Sequence, residues 1–187
     1  MNTRKEVITA SQIRIEKLSI EHTDKIQNFT SYEKELVDFL LEDALDNQNK
    51  QISVTFLWFI KSTDELIGYI TLLTDRINLS PTLKEEFRKK GVEYKALPAM
   101  KIGRVCVDDN HLRRGVGNLM IQFAIHQIKQ ISKECGCRFI TLDAKRNPDK
   151  SKDSMHFYKR MDFEILKERS KGTTPMYKDV FKIINGQ

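Results

Sequence analysis

The chain has 187 residues, enough for one domain with a real hydrophobic core, and its 40% hydrophobic and 31% charged residues are ordinary for a soluble globular protein. It contains no run of about 18 apolar residues, which excludes a transmembrane helix, and its N-terminal stretch carries too small an apolar patch for a secretory signal. The net charge of +6 suits a solvated surface or a polyanionic partner, and does not choose among a nucleotide cofactor, a nucleic acid and an acidic protein.

In chain order, residues 12–18 alternate apolar and polar side chains and predict a first strand. Thr30 and Glu33 have capping-box spacing ahead of one apolar stripe, Leu36, Val37, Leu40, Leu41, Ala44 and Leu45, which predicts a helix. Residues 52–60 and 66–73 are rich in β-branched and aromatic side chains on either side of a turn at Ser62-Thr63-Asp64, and predict an antiparallel hairpin. Residues 78–98 read as a long charged connection holding a short helix over 83–90. There follow a strand at 99–107, a helix at 115–134, a strand at 138–144, a short helix at 154–161 and a closing hairpin of 163–166 with 176–184. With one strand–helix–strand crossover at its centre, the chain is expected to be an α+β (α/β) domain built on a mixed, largely antiparallel sheet. No repeat, linker or low-complexity tract marks a boundary, so one domain is expected over residues 1–187, its core at about 12–184.

Cys106, Cys135 and Cys137 make an odd number, which fits reduced thiols in a cytoplasm rather than a disulfide framework. Cys135-Gly136-Cys137 lacks the second ligand pair of a zinc site, and no metal is expected.

The most informative stretch is residues 102–119. An apolar strand ending in Val105-Cys106-Val107 passes through a polar turn into Arg113-Arg114-Gly115-Val116-Gly117-Asn118, which opens an amphipathic helix. The first turn of a helix carries unpaired N–H groups and the positive end of the macrodipole. Glycines there let a phosphate approach those amides, and the two arginines add full positive charge. The sequence is neither a P-loop, since no Gly-Lys-Ser/Thr follows, nor a complete dinucleotide fingerprint, since Met120 stands where the third glycine would be.

Val105-Cys106-Val107-Asp108 followed by Arg113-Arg114-Gly115-Val116-Gly117 resembles the acetyl-CoA signature of the GNAT superfamily of N-acetyltransferases. The family pattern, Gln/Arg-x-x-Gly-x-Gly/Ala, falls on residues 112–117, with Leu112 where Gln or Arg is usual. A second block, residues 139–144 and then Phe157-Tyr158 through Asp162-Phe163, is similar to the family's fifth strand and its Phe-Tyr-x-x-x-Gly-Phe segment. Asp162 replaces the glycine, and Asp adopts the left-handed conformation less readily.

The resemblance implies a sheet flanked by helices, with a splayed fourth and fifth strand pair. It implies acetyl-CoA as acyl donor, bound by Val105, Cys106, Val107, Arg113, Arg114, Gly115, Val116, Gly117 and Asn118. It implies direct attack by a primary amine in a ternary complex, with Tyr158 as general acid toward the CoA sulfur. Read from the residues alone, Tyr158 is a core side chain beside Phe157 and near Met161. No general base is identified: Lys101 is unsuited while charged, Asp143 is a weak candidate, and a water chain serves equally. His22, His111, His126 and His156 show no convincing pairing or metal spacing and read as surface or core side chains, and Cys106 reads as an inert strand thiol.

Residues 97–107 look like a bacterial branch of the family that includes toxins acetylating aminoacyl-tRNA. The acceptor therefore stays open among a small-molecule amine, a protein and an aminoacyl-tRNA. Nucleic acid stays open as a partner, a homodimer is compatible, and no membrane is expected. The alternative of a different class is a catalytically silent acyl-CoA-binding or nucleic-acid-binding module.

Overall fold

The computed structural model describes residues 6–147, 154–169 and 172–182. The strands are β1 Ile13–Lys17, β2 Val54–Ile60, β3 Leu66–Asn78, β4 Ala96–Val107, β5 Phe139–Lys145, β6 Glu164–Ile165 and β7 Thr173–Asp179. They lie in one sheet in the order β1-β2-β3-β4-β5-β7-β6. β1 with β2, β2 with β3, β5 with β7 and β6 with β7 are antiparallel pairs. The helices are α1 Thr23–Ile26, α2 Lys34–Asp38, α3 Ala44–Asn49, α4 Pro81–Arg88, α5 Val116–Ile131 and α6 Met155–Arg160, with a π-helical stretch Phe39–Asp43 joining α2 to α3. The mixed, largely antiparallel sheet with flanking helices is thus the architecture the sequence predicts.

The chain divides into two compact units, Met1–Leu73 with Ile102–Phe123 and Thr74–Lys101 with Ala124–Gln187. In the first, the stripe read from the sequence delivers its apolar face: Leu40 and Ala44 pack with Leu18, Phe29, Leu57, Phe59 and Tyr69, while Leu36, Val37, Leu41 and Leu45 lie half-buried against them. Burying these side chains supplies most of the favourable free energy. Polar groups taken inside find partners, as burial demands. The Tyr69 hydroxyl donates to the Leu36 carbonyl at 2.7 Å, and burial pushes its phenol well above the ordinary value. The buried Gln48 amide donates to the Leu18 carbonyl at 2.5 Å and accepts from the Thr55 N–H at 3.1 Å. Phe123 of α5 meets Phe56 and Trp58 of β2 edge-on, ring centroids 5.0 and 5.7 Å apart.

The expected capping box does not form. The Thr30 N–H and hydroxyl both donate to one oxygen of Asp108, at 2.8 and 2.9 Å, and α2 starts after Glu33 with no side-chain cap. A carboxylate buried to 5% exposure costs more to leave unpaired than a helix-end amide does, so it takes the donor.

In the second unit α4 begins at Pro81, two residues before the expected start, because the Ser80 hydroxyl caps it by accepting from the Leu83 N–H and proline suits the first helical position. Its apolar face, Leu83 and Phe87, packs with Ile77, Leu97, Ala99, Phe139 and Tyr177. Just beyond its last turn Lys89 and Lys90 pair back to Glu85 and Glu86 at 3.6 and 2.8 Å. The Arg138 guanidinium donates twice to Asp179 and lies over the Phe87 ring, 5.0 Å from its centre.

Candidate active site

β4 ends at Val107, and the chain then makes a 3-10 turn over Asp109–His111. Asp108 caps that turn by accepting from the Asn110 N–H at 2.9 Å, while its other oxygen holds Thr30. Two left-handed residues follow, Arg113 at φ +63° and Gly115 at φ +87°. Gly115 therefore cannot belong to the right-handed helix, and α5 starts one residue later than expected. Leu119 N–H donates to the Gly115 carbonyl at 3.2 Å, which leaves the amides of Val116, Gly117 and Asn118 ahead of the helical ladder. Arg113 and Asn118 beside them are exposed. Three amides ahead of the helical ladder, the positive end of a 16-residue helix and a guanidinium make a donor set fit for a pyrophosphate.

Gly68 lets this segment sit close to β3. A Cβ there would lie 2.6 Å from the Cys106 carbonyl oxygen and 2.4 Å from the end of Met120. Val105 and Val107 are half-buried and Cys106 is buried. Burial pushes the Cys106 thiol up to about 12, so at neutral pH it is a packed thiol and no nucleophile. Asp108 stands in the signature-like stretch without a role assigned to it, and no local spacing reveals that it holds Thr30.

The two arginines are not equivalent. Arg113 is exposed, whereas Arg114 is half-buried and engaged with protein. Its Nε donates to the Glu6 carbonyl at 2.9 Å and its Nη1 lies 3.1 Å from His111 Nδ1. His111 is buried, with Nε2 2.9 Å from Glu65, and the equally buried His22 contacts Glu16 at 2.7 Å and Ser19 at 2.9 Å. Both histidines lie in the core, one of the two places expected, and both have polar partners there that are too far off in sequence, or too ordinary, to signal the pairing. His126 and His156 are exposed.

The nine strand and turn residues expected to bind the donor all lie in the first unit, on one continuous strand–turn–helix. Tyr158 belongs to the second unit, on α6. It is 7% exposed, its ring edge-on to Phe157 and Phe163 at 5.2 and 5.8 Å. After α6 the chain turns on Asp162 at φ +59°, the left-handed conformation the family's glycine would supply. Also in this unit, Lys101 of β4 donates to Asp143 of β5 at 2.6 Å, so that carboxylate is already engaged with an ammonium. Part of the stretch between β5 and α6 lies outside the described residues. Among the described residues no cluster of His, Cys, Asp and Glu could hold a metal ion, and no helix is long and apolar enough to cross a membrane.

The fold has close counterparts among solved structures. A tyrosine-to-phenylalanine mutant of KacT matches at 20% identity and TM-score 0.74, over 90% of this chain and 95% of that one. AtaT complexed with acetyl-methionyl-tRNAfMet matches at 19% identity and TM-score 0.72, over 89% and 94%. AtaTR bound with acetyl-CoA matches at 19% identity and TM-score 0.70, over 91% and 95%. No curated protein sequence matches. The acetyltransferase (GNAT) family profile matches residues 19–163, which contain the β4–α5 turn and reach through α6, and the chain belongs to that family.

Proposed function

We propose that the protein transfers an acetyl group from acetyl-CoA to a primary amine by direct attack in a ternary complex. The observation that carries this reading is the start of α5, where the amides of Val116, Gly117 and Asn118 stand outside the helical ladder beside the exposed Arg113. Those groups and Gly115 would hold the pyrophosphate of the donor. The donor supplies an activated carbonyl and a thiol leaving group comparable to cysteine, of pKa about 8.5. The main-chain amides of residues 105–107 would steady the carbonyl oxygen as charge develops on it. The amine nitrogen bonds to the carbonyl carbon, the carbon–sulfur bond breaks, and Tyr158 donates its phenolic proton to the sulfur. The surplus proton on nitrogen leaves through water, because Asp143 is occupied by Lys101. The net charge of +6, together with the likeness to AtaT, a protein solved with an acetyl-methionyl-tRNA, favours an aminoacyl-tRNA as the amine.

Ligand that binds the native state raises its stability, so millimolar acetyl-CoA should raise the melting temperature, and Gly117→Trp should abolish the rise by blocking the amides. Release of free CoA thiol should then appear with one member of an amine panel that includes aminoacyl-tRNA. An unchanged melting temperature with no calorimetric heat sinks the donor assignment. Binding without thiol release for any amine favours the silent module instead.

A further inference from the structure

Arg114 lies between two left-handed residues, Arg113 at φ +63° and Gly115 at φ +87°. A non-glycine residue in that region is strained and persists only where its surroundings hold it. The holding contacts come from two sides. The Ile8 N–H donates to the Arg114 carbonyl at 2.9 Å, and the Arg114 Nε donates back to the Glu6 carbonyl at 2.9 Å. Ile8 is buried at 3% exposure, and Val7 lies so near the turn that a Cβ on Gly115 would sit 3.3 Å from it. From the other side, a guanidinium can only donate, so His111 Nδ1 accepts from Arg114 Nη1 at 3.1 Å. Its Nε2 is thereby left to donate to Glu65 at 2.9 Å. The Nε, Nη1 and main-chain carbonyl of Arg114 are thus all engaged with protein.

Resting on the reading of this turn as the donor site, we propose that Arg114 is a positioning residue rather than a phosphate ligand. With His111, Glu65 and the strap Glu6–Ile8 it fixes the turn so that the amides of Val116–Asn118 stay aimed at the pyrophosphate. Charge alone would not do this, because the bonds require the fork of a guanidinium and the ring of a histidine.

The test compares initial rates with acetyl-CoA and with acetyl-pantetheine, a thioester without the pyrophosphate. Arg114→Lys keeps the charge and loses the fork; His111→Phe keeps a ring and loses both bonds. Each should raise KM for acetyl-CoA about tenfold, the scale of one lost charge-assisted hydrogen bond, while kcat and the KM for acetyl-pantetheine stay put. Glu65 is half exposed, so its variants should fold in any case: Glu65→Gln keeps an acceptor and should behave as wild type, and Glu65→Ala should raise KM for acetyl-CoA alone. A wild-type KM in Arg114→Lys, or a Glu65→Ala variant indistinguishable from Glu65→Gln, overturns the proposal. Equal impairment with both donors in His111→Phe reduces the contact to general stability and overturns it too. A wild-type enzyme that treats the two donors alike would sink the donor-site reading itself, a separately visible failure.

Discussion

The strand–turn–helix of the first unit and the strand–helix pair of the second offer chemistry in different currencies. In the first, the groups on show at the start of α5 are mainly amides of the main chain, and the side chains around them (Asp108, Thr30, His111 and Arg114) serve to hold the backbone. In the second, the candidate is one phenol, Tyr158, set in an aromatic cluster with Phe157 and Phe163. A backbone site tolerates changes of side chain so long as the turn keeps its shape. A side-chain site is lost with a single atom. The contrast can be tested at both ends.

The largest effect is expected where one atom matters. Tyr158→Phe keeps the ring and removes the donor, so turnover should fall by roughly 10²-fold or more while acetyl-CoA affinity holds. Wild-type turnover would return Tyr158 to the core and erase the contrast. A middling effect is expected where the backbone needs room. Gly68→Ala places a methyl group against the Cys106 carbonyl, a neighbour that cannot swing aside, and should destabilise the fold by about 1–3 kcal/mol, read from denaturant unfolding. A neutral result would show that β3 and β4 separate easily, and that the amides of β4 are less firmly placed. The smallest effect is expected from a side chain in the turn that the proposed grip does not use. Leu112→Gln restores the residue usual in the family, and its calorimetric affinity for acetyl-CoA should stay within about twofold of wild type. A large gain would mean that side chains carry part of the grip.

What the sequence made legible, and what it hid, follows from range. The stripe at residues 36–45 and the hairpin of β2 and β3 were readable because periodicity is local, and they form nearly as expected. Asp162 marks a position where a left-handed turn is in question because it fills a glycine position, and its φ is +59°. Arg113 carries no such mark, and its φ of +63° shows only once the turn is built. Thr30 looked like a helix cap from its neighbours, yet its partner is Asp108, 78 positions away. His111 and Glu65 are 46 positions apart, too far for spacing to reveal. Polar pairs made by tertiary folding have no period, which is why the glycines of the site were visible and the scaffold holding them was not.

The packing of Phe123 on β2 has a practical side. Trp58 is the sole tryptophan of the chain, 2% exposed, and its ring lies against the first half of α5, two turns from the amides at that helix's start. Its indole is thus an intrinsic optical reporter buried against an aromatic neighbour, tuned to one place rather than averaged over many. Its emission colour reads whether α5 is seated on the sheet. Its quenching by dissolved acrylamide reads how often the helix lifts. The chain therefore carries its own label at the base of the element that presents the proposed donor site, and the seating of that element can be followed without attaching a dye.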